Sequence, residues 1–193
     1  MKRANIEIHQ LPQHIRNIKQ EKRITLDPKY TDNTIEDLVN WDAEITFVCV
    51  PTPQQETHLD VDTYIAREVL RELDQLEYKG VVVVKSTITP HHLKQFKTLF
   101  STLRLVYNPE FLTEANSLQD FINPNMQILG GELHDCIEVE QAYIHHSKVK
   151  IVPTFKTDLT SASLIKYTIN SWLATKVVFF NELQKVHESS SSA

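Results

Sequence analysis

Glycine is scarce in this 193-residue chain: Gly80, Gly130 and Gly131 are the only ones, so none lies in the first 79 residues. Glycine-rich loops bind phosphates because a backbone without Cβ atoms can approach a pyrophosphate closely. The sequence therefore excludes a glycine-rich phosphate loop before position 80.

Cysteine is also scarce, and long apolar runs and an excess of positive charge are missing. Cys49 and Cys136 have no CxxC spacing, which excludes a disulfide framework and a cysteine-based zinc site. The net charge of −5 argues against nucleic acid as the main partner. The N-terminus has no apolar signal core, and no run approaches the about 20 apolar residues of a membrane span. We expect a soluble, cytoplasmic protein that does not bind membranes.

Two histidine pairs raise the question of a metal site. His91–His92 and His145–His146 are adjacent residues, which point apart on a helix. No cysteine or carboxylate spacing completes a set of ligands around either pair. We therefore predict that the chain has no metal site.

Short β-branched runs alternate with helical patterns along residues 1–157. This alternation is typical of an α/β domain with a parallel sheet, and the second and third runs are apolar enough to be buried on both faces. Helices are expected over 60–76, 90–100 and 135–147. The predicted strands are 23–27, 44–50, 81–87, 103–107, 126–130 and 149–152.

The C-terminal part of the sequence has a different character. Residues 158–188 contain neither glycine nor proline and begin with several capping residues, which predicts one long helix. Its apolar residues are too many for one face, so it needs a second surface, either another domain or a second copy of the chain. The serine-rich residues 189–193 are expected to be a disordered tail.

Three predicted strands end in polar segments that contain proline: Pro51–Thr52–Pro53, residues 86–90, and Asn108–Pro109–Glu110. In the last two segments Thr89 and Asn108 precede a proline, as a helix N-cap does. Ligands of open α/β sheets bind at the carboxyl ends of the strands. We expect these three turns to meet at one edge, where helix N-termini attract anions.

The motifs at these turns carry a family resemblance. "FVCVPTP", "VVVVKSTITP", "LVYNPEFLTEAN", "DFINPNMQILGG" and "SLIKYTINSWLATKVVFFNEL" follow one another in this order. Together they resemble the UDP-glucose/GDP-mannose 6-dehydrogenase family over roughly residues 23–185. The resemblance implies a Rossmann-like fold, NAD as cofactor and a UDP-sugar as substrate. It also implies oxidation of the sugar C6 alcohol to a carboxylate through a cysteine-linked intermediate, and a homodimer formed through the long helix.

The resemblance also implies roles for individual residues. Thr87 would lie near the nicotinamide and order the active-site water, and Glu110 would assist thioester hydrolysis. Lys166 and Asn170 would steady the developing oxyanion, and their i, i+4 spacing places them on one helix face. The substrate would be bordered by Phe111, Leu112, Thr113 and Glu114, and the cofactor by Asp27, Val50, Pro51, Thr52, Ser86 and Thr87. The alternative role for Asp27 is to open the turn at Pro28.

The chain departs from the family pattern in four respects. Bulky residues stand near positions 7–14, where the glycine loop belongs, and Thr113 replaces the usual arginine. Neither cysteine fits the family nucleophile, and the UDP-binding domain that follows the helix is missing from these 193 residues. We expect an incomplete dehydrogenase that is inactive alone, because covalent catalysis requires its thiol. A non-catalytic module that binds a nucleotide sugar or another protein is the alternative, and a gene fragment that still folds is a third.

Overall fold

The computed structural model describes residue 26 and residues 31–54, 60–113 and 115–191. The predicted strand at 23–27, Asp27 and Glu114 lie outside this part, apart from residue 26. The elements run in the order α1 Ile35–Asn40, β1 Ile45–Val48, α2 Tyr64–Gln75, β2 Val81–Val84, α3 Pro90–Leu99, β3 Arg104–Tyr107, α4 Ser117–Ile122, β4 Gln127–Gly131, α5 Leu133–His146, β5 Thr154–Thr157 and α6 Leu159–Ser191.

The five strands form one sheet in the order β1-β2-β3-β4-β5. The predicted α/β architecture is confirmed, and four strand runs lie where they were expected. The β3–β4 pair is antiparallel, whereas all the other pairs are parallel. The sheet is therefore only mostly parallel, because the 108–126 connection carries only the six-residue helix α4 and enters β4 from the edge at which it left β3.

The predicted strand at 149–152 is wrong, because β5 begins at Thr154, two residues after the predicted strand ends. The Lys150 amide donates to the Ile122 carbonyl over 2.8 Å, and the Pro153 carbonyl accepts from Gln127 over 3.0 Å. Ladder pairing with β4 starts at Thr154, opposite Gln127. The apolar run before Pro153 thus connects α5 to the sheet and makes no strand.

Asn108–Pro109 does not begin a helix, which corrects the second predicted cap. The Asn108 side chain bonds neighbouring strands, and the next helix begins only at Ser117. At the other turn Thr89 does cap α3, with Pro90 in its first turn. Two short helices, α1 and α4, were not predicted, because six residues are too few to show a helical period.

Helices cover both faces of the sheet. On one face α2, α3 and the start of α6 pack against Val82, Val84 and Tyr107. On the other face α5 packs through Cys136 and Val139 against the remaining side chains of the same strands. The strand Val81–Val84 is buried on both faces, as its unbroken apolar sequence predicts.

α6 begins with a capped turn and continues further than predicted. The Asp158 carboxylate accepts from the Ser161 amide and hydroxyl over 2.9 and 2.6 Å, and these bonds lower the pKa of Asp158. Residues 189–191 belong to the helix, although the sequence predicted a disordered tail there. In this last turn the hydroxyls of Ser189 and Ser190 bond back to the Val186 carbonyl.

Candidate active site

Asn108, at the carboxyl end of β3, is the centre of a buried hydrogen-bond network. Its Oδ1 accepts from Lys85 Nζ over 3.0 Å and from the Tyr143 hydroxyl over 2.8 Å. Its Nδ2 donates to the Ile128 carbonyl over 2.9 Å, and its own carbonyl accepts from Lys85 over 3.2 Å. One side chain thus connects β2, β3, β4 and α5. It fixes the direction in which residues 109–113 leave the sheet.

Lys166 holds the next part of this segment from α6. Its Nζ donates to the Glu110 carbonyl and lies 5.1 Å from the centroid of the Phe111 ring. Burial lowers the pKa of Lys166, with a smaller opposing effect from Glu110 and a further lowering by Lys85. The ammonium group is therefore close to the segment that the sequence assigned to catalysis, in a partly dehydrated position where its charge acts strongly.

Thr113 is bonded to Asp120 of α4. Its amide and hydroxyl donate to the same carboxylate oxygen over 2.8 and 2.6 Å, and these two bonds lower the pKa of Asp120. The resemblance places a positive charge at position 113, whereas here a neutral residue is paired with an acid. The local electrostatics therefore differ from the family pattern at this point.

These contacts enclose a cleft of about 360 Å³ at the carboxyl ends of β2 and β3, next to the start of β4. One side is formed by the segment after β3 and the other by residues 120–127. Ammonium, carboxylate and amide groups share the lining with aromatic rings, a mixture typical of sites for polar small molecules. The lining comprises Lys85, Asn108, Pro109, Glu110, Phe111, Leu112, Thr113, Asp120, Phe121, Asn123, Pro124, Asn125, Met126, Gln127, Tyr143, Val149 and Ile169.

The predicted cofactor residues lie at the ends of the neighbouring strands β1 and β2. The Ser86 hydroxyl donates to the Val50 carbonyl over 2.7 Å and ties the two strand ends together. Val50, Thr52 and Thr87 are half-buried, and Pro51 is exposed. Polar groups are thus available at this edge of the sheet. A pyrophosphate loop does not fit the sequence, because no glycine precedes Gly80.

The structure brings together most of the predicted catalytic and substrate residues, but not all of them. Glu110, Phe111, Leu112 and Thr113 line the cleft, and Lys166 adjoins it. Asn170 is exposed one turn further along α6, and within the described residues its side chain has no hydrogen-bond partner. The assigned roles of all these residues remain predictions.

Four residues of the site were not predicted as functional: Lys85, Asn108, Tyr143 and Asp120. Lys85 gave a usable signal, because a charge directly after four buried valines must find a polar partner at the strand end. Tyr143 lies in a helix whose apolar period is weak, and Asp120 lies in a helix too short to recognise. Their positions depend on the 108–126 connection, which no local pattern describes.

The two cysteines are free. Cys136 is buried, and Cys49 is exposed just after β1, which ends at Val48. Desolvation by surrounding protein raises the thiol pKa of each to about 11, including that of Cys49 despite its exposed area. Neither thiol is activated as a nucleophile at neutral pH.

Residues 31–54, 60–113 and 115–191 include no group of three or more His, Cys, Asp or Glu side chains suited to holding a metal ion. In that same part of the chain, no helix has the length and apolar character to cross a membrane.

Sequence comparison finds relatives among nucleotide-sugar dehydrogenases. An uncharacterized protein of Methanocaldococcus jannaschii is 37% identical over 155 residues, which are 76% of this chain and 17% of that protein. The UDP-glucose 6-dehydrogenase of Campylobacter jejuni is 29% identical over 143 residues, 74% of this chain and 36% of the relative. The chain thus spans well under half the length of these relatives.

Solved structures of dehydrogenases have a similar fold, and this chain again covers about a third of their length. GDP-mannose dehydrogenase from Pseudomonas aeruginosa superposes with a TM-score of 0.65 at 27% identity, over 76% of this chain and 36% of that one. UDP-glucose dehydrogenase from Pyrobaculum islandicum gives 0.67 at 26% identity, over 78% and 36%. Residues 2–147 match the NAD binding domain of the UDP-glucose/GDP-mannose dehydrogenase family, so the chain belongs to that family.

Proposed function

We propose that this chain carries part of the machinery for NAD-dependent oxidation of a nucleotide-sugar C6 alcohol to the carboxylate. The observation that carries the proposal is the position of Lys166, which reaches from α6 to the Glu110 carbonyl and joins two segments 56 residues apart. A cation and a carboxylate residue meet there at the edge where α/β sheets bind their ligands.

Each residue has a definite task in this proposal. NAD, when bound, would accept hydride from C6 once in each of the two oxidations that lead from alcohol to carboxylate, and Val50, Pro51, Thr52, Ser86 and Thr87 would contact it. Lys166 would stabilise negative charge on the C6 oxygen, which its partly dehydrated ammonium suits. Glu110 would take a proton from the water that releases the acid, and Phe111, Leu112 and Thr113 would border the sugar. Because no glycine precedes Gly80, the pyrophosphate of NAD would bind without a glycine-rich loop, and we expect this part of the cofactor to be held least tightly.

The chain by itself is proposed to be inactive. The family reaction passes through a cysteine adduct, and the thiols of Cys49 and Cys136 have pKa values raised to about 11. A protonated thiol does not attack an aldehyde efficiently.

The two free thiols support our expectation of a reducing, cytoplasmic environment.

A non-catalytic binding module is the second candidate, and α6 favours it. From Trp172 to Val186 the helix exposes a series of large apolar side chains, which calls for a protein surface to cover them. We propose a second copy of this chain as that surface, giving a homodimer through α6. A module of this kind would bind a nucleotide sugar or a protein partner without chemistry.

Absorbance and calorimetry separate these candidates. The purified chain is incubated with NAD and UDP-glucose, and NADH is followed at its absorbance maximum. We expect no NADH, and saturable heat on titration with NAD would favour the dehydrogenase machinery over a module that binds only a nucleotide sugar or a protein. NADH formation would contradict the proposed inactivity. The absence of heat with both NAD and UDP-glucose, together with a stable dimer in light scattering, would favour the interaction module over the dehydrogenase.

A further inference from the structure

The outer side of β5 is an open edge of the sheet. β5 pairs with β4 on one side, and within the described residues no strand pairs with its other side. None of the four residues of β5 is buried, whereas the strand Val81–Val84 is buried throughout. The lining of the cleft contains no residue of β5. This edge is therefore separate from the candidate active site.

Two residues of β5 direct their backbone groups away from the sheet. The Gln127 amide donates to the Pro153 carbonyl, and the parallel register pairs Gln127 with Thr154. Because the direction of the backbone groups alternates along a strand, Phe155 faces β4, while Thr154 and Lys156 face outward. The amide and carbonyl groups of Thr154 and Lys156 are thus available to a further strand.

Apolar side chains lie on both faces of this edge. Phe155 pairs in register with Ile128, which belongs to the core on the α6 side, so Phe155 lies on that face, where it is 56% exposed. On the α5 face, Ile144 and Ile151 line a small cavity together with Thr154 and are 38% and 73% exposed. An added strand would therefore bury apolar side chains on both of its faces.

Charge is unevenly distributed along this edge. Lys156 bonds to Glu140 of α5 over 2.6 Å, so the lysine within the strand is neutralised by its own chain. Before the strand, Lys148 and Lys150 are exposed, and within the described ranges neither lies at ion-pair distance from an acid. Asp158 follows the other end of the strand. A partner strand would thus meet a neutral centre, a positive start and a negative end.

We propose that the outer edge of β5 binds an extended peptide of another protein, which adds a strand to the sheet. The peptide would carry β-branched residues along its length and acidic residues at the end next to Lys148 and Lys150. Backbone bonds to Thr154 and Lys156 would supply affinity, while the apolar contacts and the acidic end would supply selectivity. The inference goes beyond the proposed function, because this edge takes no part in the dehydrogenase chemistry.

Hydrogen exchange on the full chain tests this geometry. The probes are short synthetic peptides of alternating valine and threonine, one ending in two glutamates and one beginning with them, so that both strand directions are covered. In the free protein the amides of Thr154 and Lys156 should exchange rapidly, while β4 protects that of Phe155. Saturation with the bound peptide should slow exchange at Thr154 and Lys156 by about tenfold or more.

The same measurement shows how the proposal would fail. Neither peptide binding at concentrations up to about 1 mM would overturn it. Protection of Thr154 and Lys156 that is already present in the free chain and grows with its concentration would show a second copy at this edge instead. A peptide with lysines in place of the glutamates should bind more weakly, and equal binding would contradict an acidic partner.

Two substitutions at one position separate backbone effects from side-chain effects. Thr154→Pro removes the outward amide, a change that an edge strand tolerates. It should weaken binding of the acidic peptide by about fivefold or more. Thr154→Ala keeps the amide and should leave the affinity within about twofold. Equal binding by a folded Thr154→Pro chain and the unmodified chain would refute the added strand.

Charge reversal tests the acidic end and replaces the proline variant should that variant unfold. Replacing Lys148 and Lys150 together by glutamate should weaken binding of the acidic peptide by about fivefold, because two attractive surface contacts become repulsive. Lys94→Glu, on the exposed surface of α3, is the control and should leave the binding unchanged. Unchanged binding by the double variant would contradict the acidic partner.

Discussion

The two halves of α6 share one helix but have opposite environments. In the first half, Leu159, Ala162, Ser163 and Lys166 are buried against β4, α3 and the segment after β3. In the second half the large apolar residues are at least half exposed, among them Trp172, Leu173, Val177, Val178, Phe179, Phe180, Leu183 and Val186. One continuous helix therefore contributes to the core in its first half and exposes an apolar surface in its second half.

The difference follows from where the sheet ends. Gly130 pairs with Tyr107, the last residue of β3, and α6 begins directly beside Gly130. A helix of 33 residues is about 50 Å long, so most of it extends past the carboxyl edge of the sheet. Burial in the first half places Lys166 at the site, while exposure in the second half leaves a surface for another protein.

The largest expected effect concerns the exposed half. Val177 and Phe180 are three residues apart on one helix face and about 60% exposed. Replacing both by aspartate should weaken self-association by about 100-fold or more, because two apolar anchors become charges. Sedimentation equilibrium measures this directly. The control is Leu133→Asp, at an exposed apolar residue of α5, and a double variant that still dimerises would exclude α6 as the dimer contact.

A matched pair of alanine-to-leucine substitutions compares packing in the two halves of α6. Ala162 is fully buried, and a Cβ added at Gly130 would come within 2.5 Å of its Cβ, so there is no room for a larger residue. Ala162→Leu should lower the free energy of unfolding by about 1–3 kcal/mol. Ala174→Leu, at an exposed position, should change it by less than about 0.5 kcal/mol. Urea denaturation of both variants provides the measurement, and equal losses would contradict the contrast.

A smaller effect is expected from removing one buried hydroxyl. Ser163 donates to the Ile88 carbonyl over 2.6 Å and fixes the turn before α3 to α6. Ser163→Ala should cost about 1 kcal/mol of unfolding free energy, since a buried acceptor loses its donor. Ser171→Ala, eight residues later and exposed, is the matched control. A loss of the same size in both variants would show that the hydroxyl of Ser163 has no special role.

The smallest expected effect is a change in how the free energy of unfolding depends on pH. Burial lowers the pKa of Lys166 below 10.5, so the unfolded chain binds more protons than the folded chain just below that pH. The unfavourable effect of burying the charged Lys166 is therefore relieved, and the free energy of unfolding rises, as the pH approaches 10.5. The stability of Lys166→Met relative to the unmodified protein should consequently fall over the same interval. Lys176→Met in the exposed half serves as control. Parallel pH curves for the unmodified protein and Lys166→Met would disprove the explanation.

Sequence patterns predicted elements with strong local signals. Four valines in succession indicated a strand buried on both faces, and Thr89–Pro90 indicated a capped helix start. The same capping rule failed at Asn108–Pro109, because a long-range network with Lys85, Tyr143 and Ile128 uses the asparagine side chain. Local rules cannot detect partners 20 to 35 residues away. The tertiary context therefore overrode the local preference there.

The sequence by itself determined the α/β class, the presence of one long last helix and the family motifs, because these depend on periodicity and on residue order. Only the tertiary structure decided that β4 runs antiparallel, that Thr113 meets Asp120 and that Lys85 and Lys166 hold neighbouring carbonyls. These facts depend on how the 108–126 connection folds back along the sheet edge. It also decided which half of α6 is core, because burial depends on where the sheet ends and not on how apolar a residue is.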